Sequence, residues 1–97
     1  MSKVFKSREV EQALKKKGFK KEPGDHNYFI LYVNGVRTSV QTHTSHNGQD
    51  INSYLFNQMK KQVHLDTNDF INLIECPLSK EKYIEILKDK NIISRDM

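Results

Sequence analysis

Ninety-seven residues supply one modest domain, residues 1–97, and 36% hydrophobic against 29% charged residues imply an economical core under a large wet surface. A single cysteine, Cys76, excludes an intramolecular disulfide and a cysteine-based zinc site, and no apolar run approaches a secretory leader or a membrane span. A soluble, cytoplasmic protein is therefore expected. The net charge of +4 is unevenly spread: Lys3, Lys6, Arg8, Lys15, Lys16, Lys17, Lys20 and Lys21 stand against only Glu9 and Glu11 in residues 1–21, and the remainder is net acidic. Clustering of this kind suits a polyanionic partner, although lysines at a helix end also simply complement the helix dipole.

In chain order, Ser7 can cap a first helix in which Val10, Ala13 and Leu14 form a narrow apolar stripe and Gly18 provides the stop. Phe19 to Glu22 reads as a short strand ended by Pro23-Gly24. Two longer strand-like runs follow, Asn27 to Val33 and Val36 to His43, joined by Asn34-Gly35, the preferred centre of a two-residue type I′ hairpin. A ladder built outward from that turn pairs Phe29 with Val40, Leu31 with Thr38 and Val33 with Val36 on an apolar face. It places Tyr28–Gln41, Ile30–Ser39, Tyr32–Arg37 and His26–His43 on the opposite face.

A polar loop over residues 44–50 leads to a second helix, capped by Asp50 or Asn52, with Ile51, Tyr54, Leu55, Met59 and Val63 on its buried side. Thr67 or Asn68 starts a short helix with Phe70, Ile71 and Ile74, ended by Pro77. Ser79 caps a last helix with Tyr83, Ile84 and Leu87. The expected architecture is α+β: an α-β-β-β-α core over residues 5–65, with helices on one face of a three-stranded antiparallel sheet, and a helical pair over 66–97 covering one edge.

The histidines carry most of the chemical interest. His26 and His43, paired across the ladder, would have Cβ atoms about 5 Å apart. Two imidazoles on a rim beside Lys20, Lys21 and Arg37 suit metal-free RNA cleavage, in which one group takes the 2′-hydroxyl proton and another assists the leaving 5′-oxygen. Strand-end histidines that merely satisfy backbone groups are the structural alternative. His43 and His46 lack a third strong donor at metal-ligand spacing, so no metal is expected. His64 is expected at the surface, and Cys76 among Ile74, Pro77 and Leu78 as a buried small hydrophobe. Tyr28, Ile30 and Tyr32 either stack on bases or pack beneath the last two helices.

The opening KSREVEQALKKKGF, the segment GDHNYF (Gly24 to Phe29) and the later LFNQMKKQVHLDTNDFINLI resemble the HicA family of toxins over residues 5–74. The resemblance implies a double-stranded-RNA-binding-like fold, an mRNA endonuclease with no cofactor, and a HicB-type antitoxin as partner. The family histidine maps onto His26 and its glycine onto Gly24. In the enzyme reading the clustered charge adds Lys15, Lys16, Lys17, Lys20, Lys21 and Arg37 as RNA contacts, and the expected ladder adds His43 as an assisting group. Asp25 stands where the family has Ser, Thr42-His43 where it has Pro-His, and the chain runs on through residues 75–97. A relative that binds RNA without cutting it, or a protein-interaction adaptor, is the competing reading.

Overall fold

The computed structural model describes residues 5–22, 24, 27–44, 50–75 and 77–96. Its elements are β1 (Phe5–Lys6), α1 (Ser7–Lys16), β2 (Phe19–Glu22), β3 (Asn27–Val33), β4 (Val36–Thr44), β5 (Asp50–Ile51), α2 (Ser53–Gln62), α3 (Thr67–Glu75) and α4 (Lys80–Asp89). β2, β3 and β4 form the expected antiparallel sheet in that order, and the fold is α+β. The polar loop between β4 and β5 lies outside the described residues, as does Cys76.

The first helix starts differently from its expected form. Lys6, not Ser7, occupies the N-cap position, and Ser7 is the first helical residue and is buried. The cause is a two-stranded ladder that sequence patterning did not reveal: Phe5 pairs with Ile51 and Lys6 with Asp50. Extended pairing holds the chain straight up to Lys6, so the helix begins immediately after it. Val10, Ala13 and Leu14 then face the core as their spacing requires. The helix closes at Gly18, whose φ of 100° lies in the left-handed region. A Cβ there would crowd only the flexible end of the Lys80 side chain, so it is the backbone conformation that calls for glycine.

Asn34 (φ 52°) and Gly35 (φ 79°) make the left-handed pair that a type I′ turn needs. Beside the turn Val33 faces Val36 and Tyr32 faces Arg37, as expected. Beyond it the ladder slips. Ile30 pairs with Gln41, Phe29 with Thr42, Tyr28 with His43 and Asn27 with Thr44, so Leu31 on β3 spans Thr38, Ser39 and Val40 on β4. Thr38 stabilises this bulge, because its hydroxyl donates to the Leu31 carbonyl at 2.8 Å and accepts from the Val40 amide at 3.2 Å. A slip of two residues conserves the side-chain alternation: Phe29, Leu31, Val33, Val40, Thr42 and Thr44 all remain buried. What changes is every partner from Ile30 to Asn27.

In α2, Asn52 is the cap, its side chain accepting the Leu55 amide at 2.8 Å. Ile51 belongs to β5, not to the helix, and Tyr54 points outward with 71% exposure, whereas Met59 and Val63 are fully buried as expected. Asp66 caps α3 by accepting the Asp69 amide, and Ser79 caps α4 by accepting the Lys82 amide. Phe70, Leu73, Ile74, Tyr83 and Leu87 from these last helices join the same buried cluster as Phe5, Leu14, Phe29 and Leu31. Tyr83 stacks on Phe19 at 6.0 Å between centroids and donates its hydroxyl to the Val63 carbonyl at 2.9 Å. Burial raises the Tyr83 pKa well above its ordinary value, keeping it a neutral donor. Among the described residues no helix is long and apolar enough to cross a membrane.

Candidate functional site

His26 and its neighbour Asp25 lie outside the described residues, as does His46, but the residues flanking them are placed. Gly24 is an exposed bend after β2, and Asn27 opens β3. At the far end of β4, Thr44 sits opposite Asn27. Both reach one carboxylate on α1: the Thr44 hydroxyl donates to Glu11 Oε2 at 2.5 Å and the Asn27 amide nitrogen donates to the same oxygen at 3.5 Å. The strand ends that carry residues 25–26 and 45–49 are thereby fastened to the first helix. Sequence reading counted Glu11 only as a charge. The available signal was the inward alternation Val40, Thr42, Thr44, since buried hydroxyls need partners. Thr42 finds its own in Gln62 Oε1 of α2, at 2.7 Å.

The bulge overturns the expected histidine pair. His43 stands opposite Tyr28, their rings 6.2 Å apart between centroids, because the two extra residues taken up in the bulge leave His43 short of the position a regular ladder would give it, two β3 residues nearer the turn. His43 is half-buried on the sheet face away from the helices.

That outer face is organised in rows by the register. Glu22, Tyr28 and His43 form one; Lys20, Ile30 and Gln41 the next; Tyr32 and Arg37 the third. Across the rows, Glu22 on β2 reaches Arg37 on β4, with Arg37 Nη1 at 2.9 Å from Oε2 and 3.1 Å from Oε1. This pairing raises the Arg37 pKa. The Tyr32 hydroxyl also donates to Glu22 Oε2, at 3.3 Å, and Lys20 Nζ lies 4.4 Å from the centre of the Tyr32 ring. Ile30 is 1% exposed, apart from the main core.

The lysines divide. Lys15 and Lys16 at the end of α1 and Lys20 and Lys21 on β2 are exposed, with Lys20 and Lys21 alternating to opposite faces of the sheet. Lys17 does not belong with them. It is only 6% exposed, and its ammonium donates to the Leu78 carbonyl at 2.5 Å, which removes it from the set of expected RNA contacts. Its position at the C-cap of α1 turns it inward against the α3–α4 connection. Arg37 is exposed but already paired. His64, expected at the surface, is half-buried, adopts φ 63°, and has its pKa lowered by burial and then by Lys90.

Residues 7–65 match the sequence profile described as "HicA toxin of bacterial toxin-antitoxin", more than half of the 97 residues. This chain belongs to the HicA toxin family. The HicA match takes in α1, the three-stranded sheet and α2, with Gly24, His26, His43 and the exposed lysines inside it, and it ends before α3 and α4. Membership implies an antitoxin as partner. No curated protein and no solved structure matched the chain.

Proposed function

We propose that this HicA-family chain is a cytoplasmic toxin that cleaves mRNA without a metal ion, with His26 as the group that moves the proton. The observation that carries the reading is the family match over residues 7–65, which includes His26 within GDHNYF and the exposed Lys15, Lys16, Lys20 and Lys21 nearby in sequence. In the proposed step the imidazole takes the proton of a 2′-hydroxyl as its oxygen attacks the adjacent phosphorus. The bond to the 5′-oxygen breaks, that oxygen takes a proton, and a 2′,3′-cyclic phosphate and a 5′-hydroxyl result. Positioned proton transfer of this kind contributes about 10²–10⁴-fold, so a slow enzyme is expected. Lysines near the strand offset the charge gathering on phosphorus.

The partner in this reading is an antitoxin of the HicB type that masks the RNA-binding surface. His43, opposite Tyr28, is the second candidate for proton transfer. Induced expression in a bacterial host tests the proposal. Wild type should arrest growth and its purified form should cut RNA in EDTA. His26→Ala should do neither while keeping a native circular dichroism spectrum and urea midpoint. A folded His26→Ala that still arrests growth refutes the assignment, and salt-sensitive RNA binding by a wild type that never cuts makes the chain a binding module instead. His43→Ala separates a one-histidine from a two-histidine mechanism by the depth of its loss.

A further inference from the structure

We infer that the outer face of the β2–β3–β4 sheet is a platform for single-stranded RNA, with Tyr32 and Tyr28 as successive base-stacking positions along β3, the strand that begins directly after His26; this deepens the ribonuclease reading and rests on it.

The faces of the sheet have separate duties. Phe19, Phe29, Leu31, Val33 and Val40 join the core cluster, and α1 and α2 pack against β2 and β4. α4 reaches the same side through Tyr83 on Phe19. On the other side β3 presents Tyr28, Ile30 and Tyr32 in one line. Ile30 is buried between its neighbours, so the line offers two half-exposed aromatic rings with a closed floor between them. Four residues of strand separate the tyrosines by about 13 Å at ~3.3 Å per residue. Separate bases can occupy the two rings, but one base cannot bridge them. The line ends at Tyr28, two residues after His26 in the sequence.

The polar surroundings fit a nucleotide strand. Glu22 holds both Arg37 and the Tyr32 hydroxyl, fixing the orientation of the Tyr32 ring before any ligand arrives. Lys20 lies over that ring, and an exposed cation–π contact is weaker than base stacking. An arriving base therefore displaces the ammonium, which is left beside the phosphate of the same nucleotide. His43, tilted against Tyr28, adds a third ring at the end of the line. Paired RNA does not suit this surface, because its bases are stacked on each other and unavailable to tyrosine. The chemistry points the same way: a 2′-oxygen must swing into line with the departing 5′-oxygen, and a regular duplex prevents that.

The test uses the His26→Ala protein, so that RNA stays intact, with fluorescein-labelled single strands and a hairpin duplex of equal length, followed by anisotropy at fixed salt. Tyr28→Leu and Tyr32→Leu should each weaken single-strand binding about 5- to 150-fold, the equivalent of one lost stacking contact. Tyr32→Phe, which keeps the ring, should recover most of the loss. In case a leucine variant does not fold, ring resonances of Tyr28 and Tyr32 in the otherwise unaltered protein should shift on adding single-stranded RNA, while that of buried Tyr83 stays put. Tyrosine-independent binding, a preference for the duplex, or no single-strand binding overturns the inference. Cleavage by wild type is scored separately. Cutting without tyrosine dependence leaves the ribonuclease and removes the platform, whereas tyrosine-dependent binding without cutting does the reverse.

Discussion

His64 shows how a single side chain makes stability depend on pH. Burial, and then the nearby Lys90, lower its pKa below the ordinary 6.5, so the unfolded chain holds the proton more tightly than the folded one. Its contribution is complete above about pH 6.5 and is lost as pH falls toward the depressed folded value. Asn tolerates the left-handed φ of 63° and cannot titrate. His64→Asn should therefore match wild type at about pH 8 and lose less of its urea midpoint on acidification to about pH 5. An unchanged slope would mean that other groups govern acid sensitivity. Nothing about position 64 in the sequence pointed to this. Its left-handed backbone belongs to the local end of α2, where the His64 amide donates to the Lys61 carbonyl and the Leu65 amide to the Lys60 carbonyl, but the approach of Lys90, whose ammonium donates to the His64 carbonyl at 2.7 Å, comes from a residue distant in the chain.

At the scale of elements, the decisive details are helix ends and strand register. The end of α1 carries Lys15, Lys16 and Lys17 in succession, and a helix turns consecutive residues by about 100° each. Two of them face water and the third faces the α3–α4 connection. Lys17→Ala should destabilise the protein by about 1–3 kcal/mol, because the Leu78 carbonyl loses its donor and the buried stem leaves a gap. Lys16→Ala should stay within about 0.5 kcal/mol and, under the proposed ribonuclease function, instead flatten the salt dependence of RNA binding. Urea melts and salt titrations of both variants distinguish the roles, and equal stability for the two would show that Lys17 is not a structural tie. The hairpin behaves similarly. Asn34-Gly35 sets the ladder beside the turn, but Thr38 lets β4 run two residues ahead of β3 farther out. Alternation of polar and apolar residues is blind to an even slip, which is why the inward residues were legible and the partner of His43 was not.

The whole molecule is larger than the segment matched by its family. α3 and α4 lie beyond residue 65, yet they bury Phe70, Leu73, Ile74, Tyr83 and Leu87 in the cluster that α1 and the sheet share. Removing one large core side chain costs about 2–5 kcal/mol, against a typical domain stability of about 5–15 kcal/mol. Five such losses exceed what a protein of this size can absorb. A chain stopped after Leu65 should lack a cooperative urea transition and near-ultraviolet dichroism. Native-like unfolding of that fragment would make the last two helices accessory. The same packing explains the inward turn of Lys17, which has a carbonyl to meet only because the α3–α4 connection lies over the end of α1.

What the amino-acid sequence determined alone was local: strand alternation in β3 and β4, the Asn34-Gly35 turn, the apolar stripe of α1 and the cap at Ser79. These follow from steric and hydrogen-bonding preferences acting over a few neighbouring residues, which any linear reading contains. Tertiary structure alone decided that Phe5 would pair with Ile51, that Glu11 would hold Asn27 and Thr44, and that His43 would meet Tyr28. Each of those joins segments far apart in the chain, and its geometry exists only once the core has closed around them.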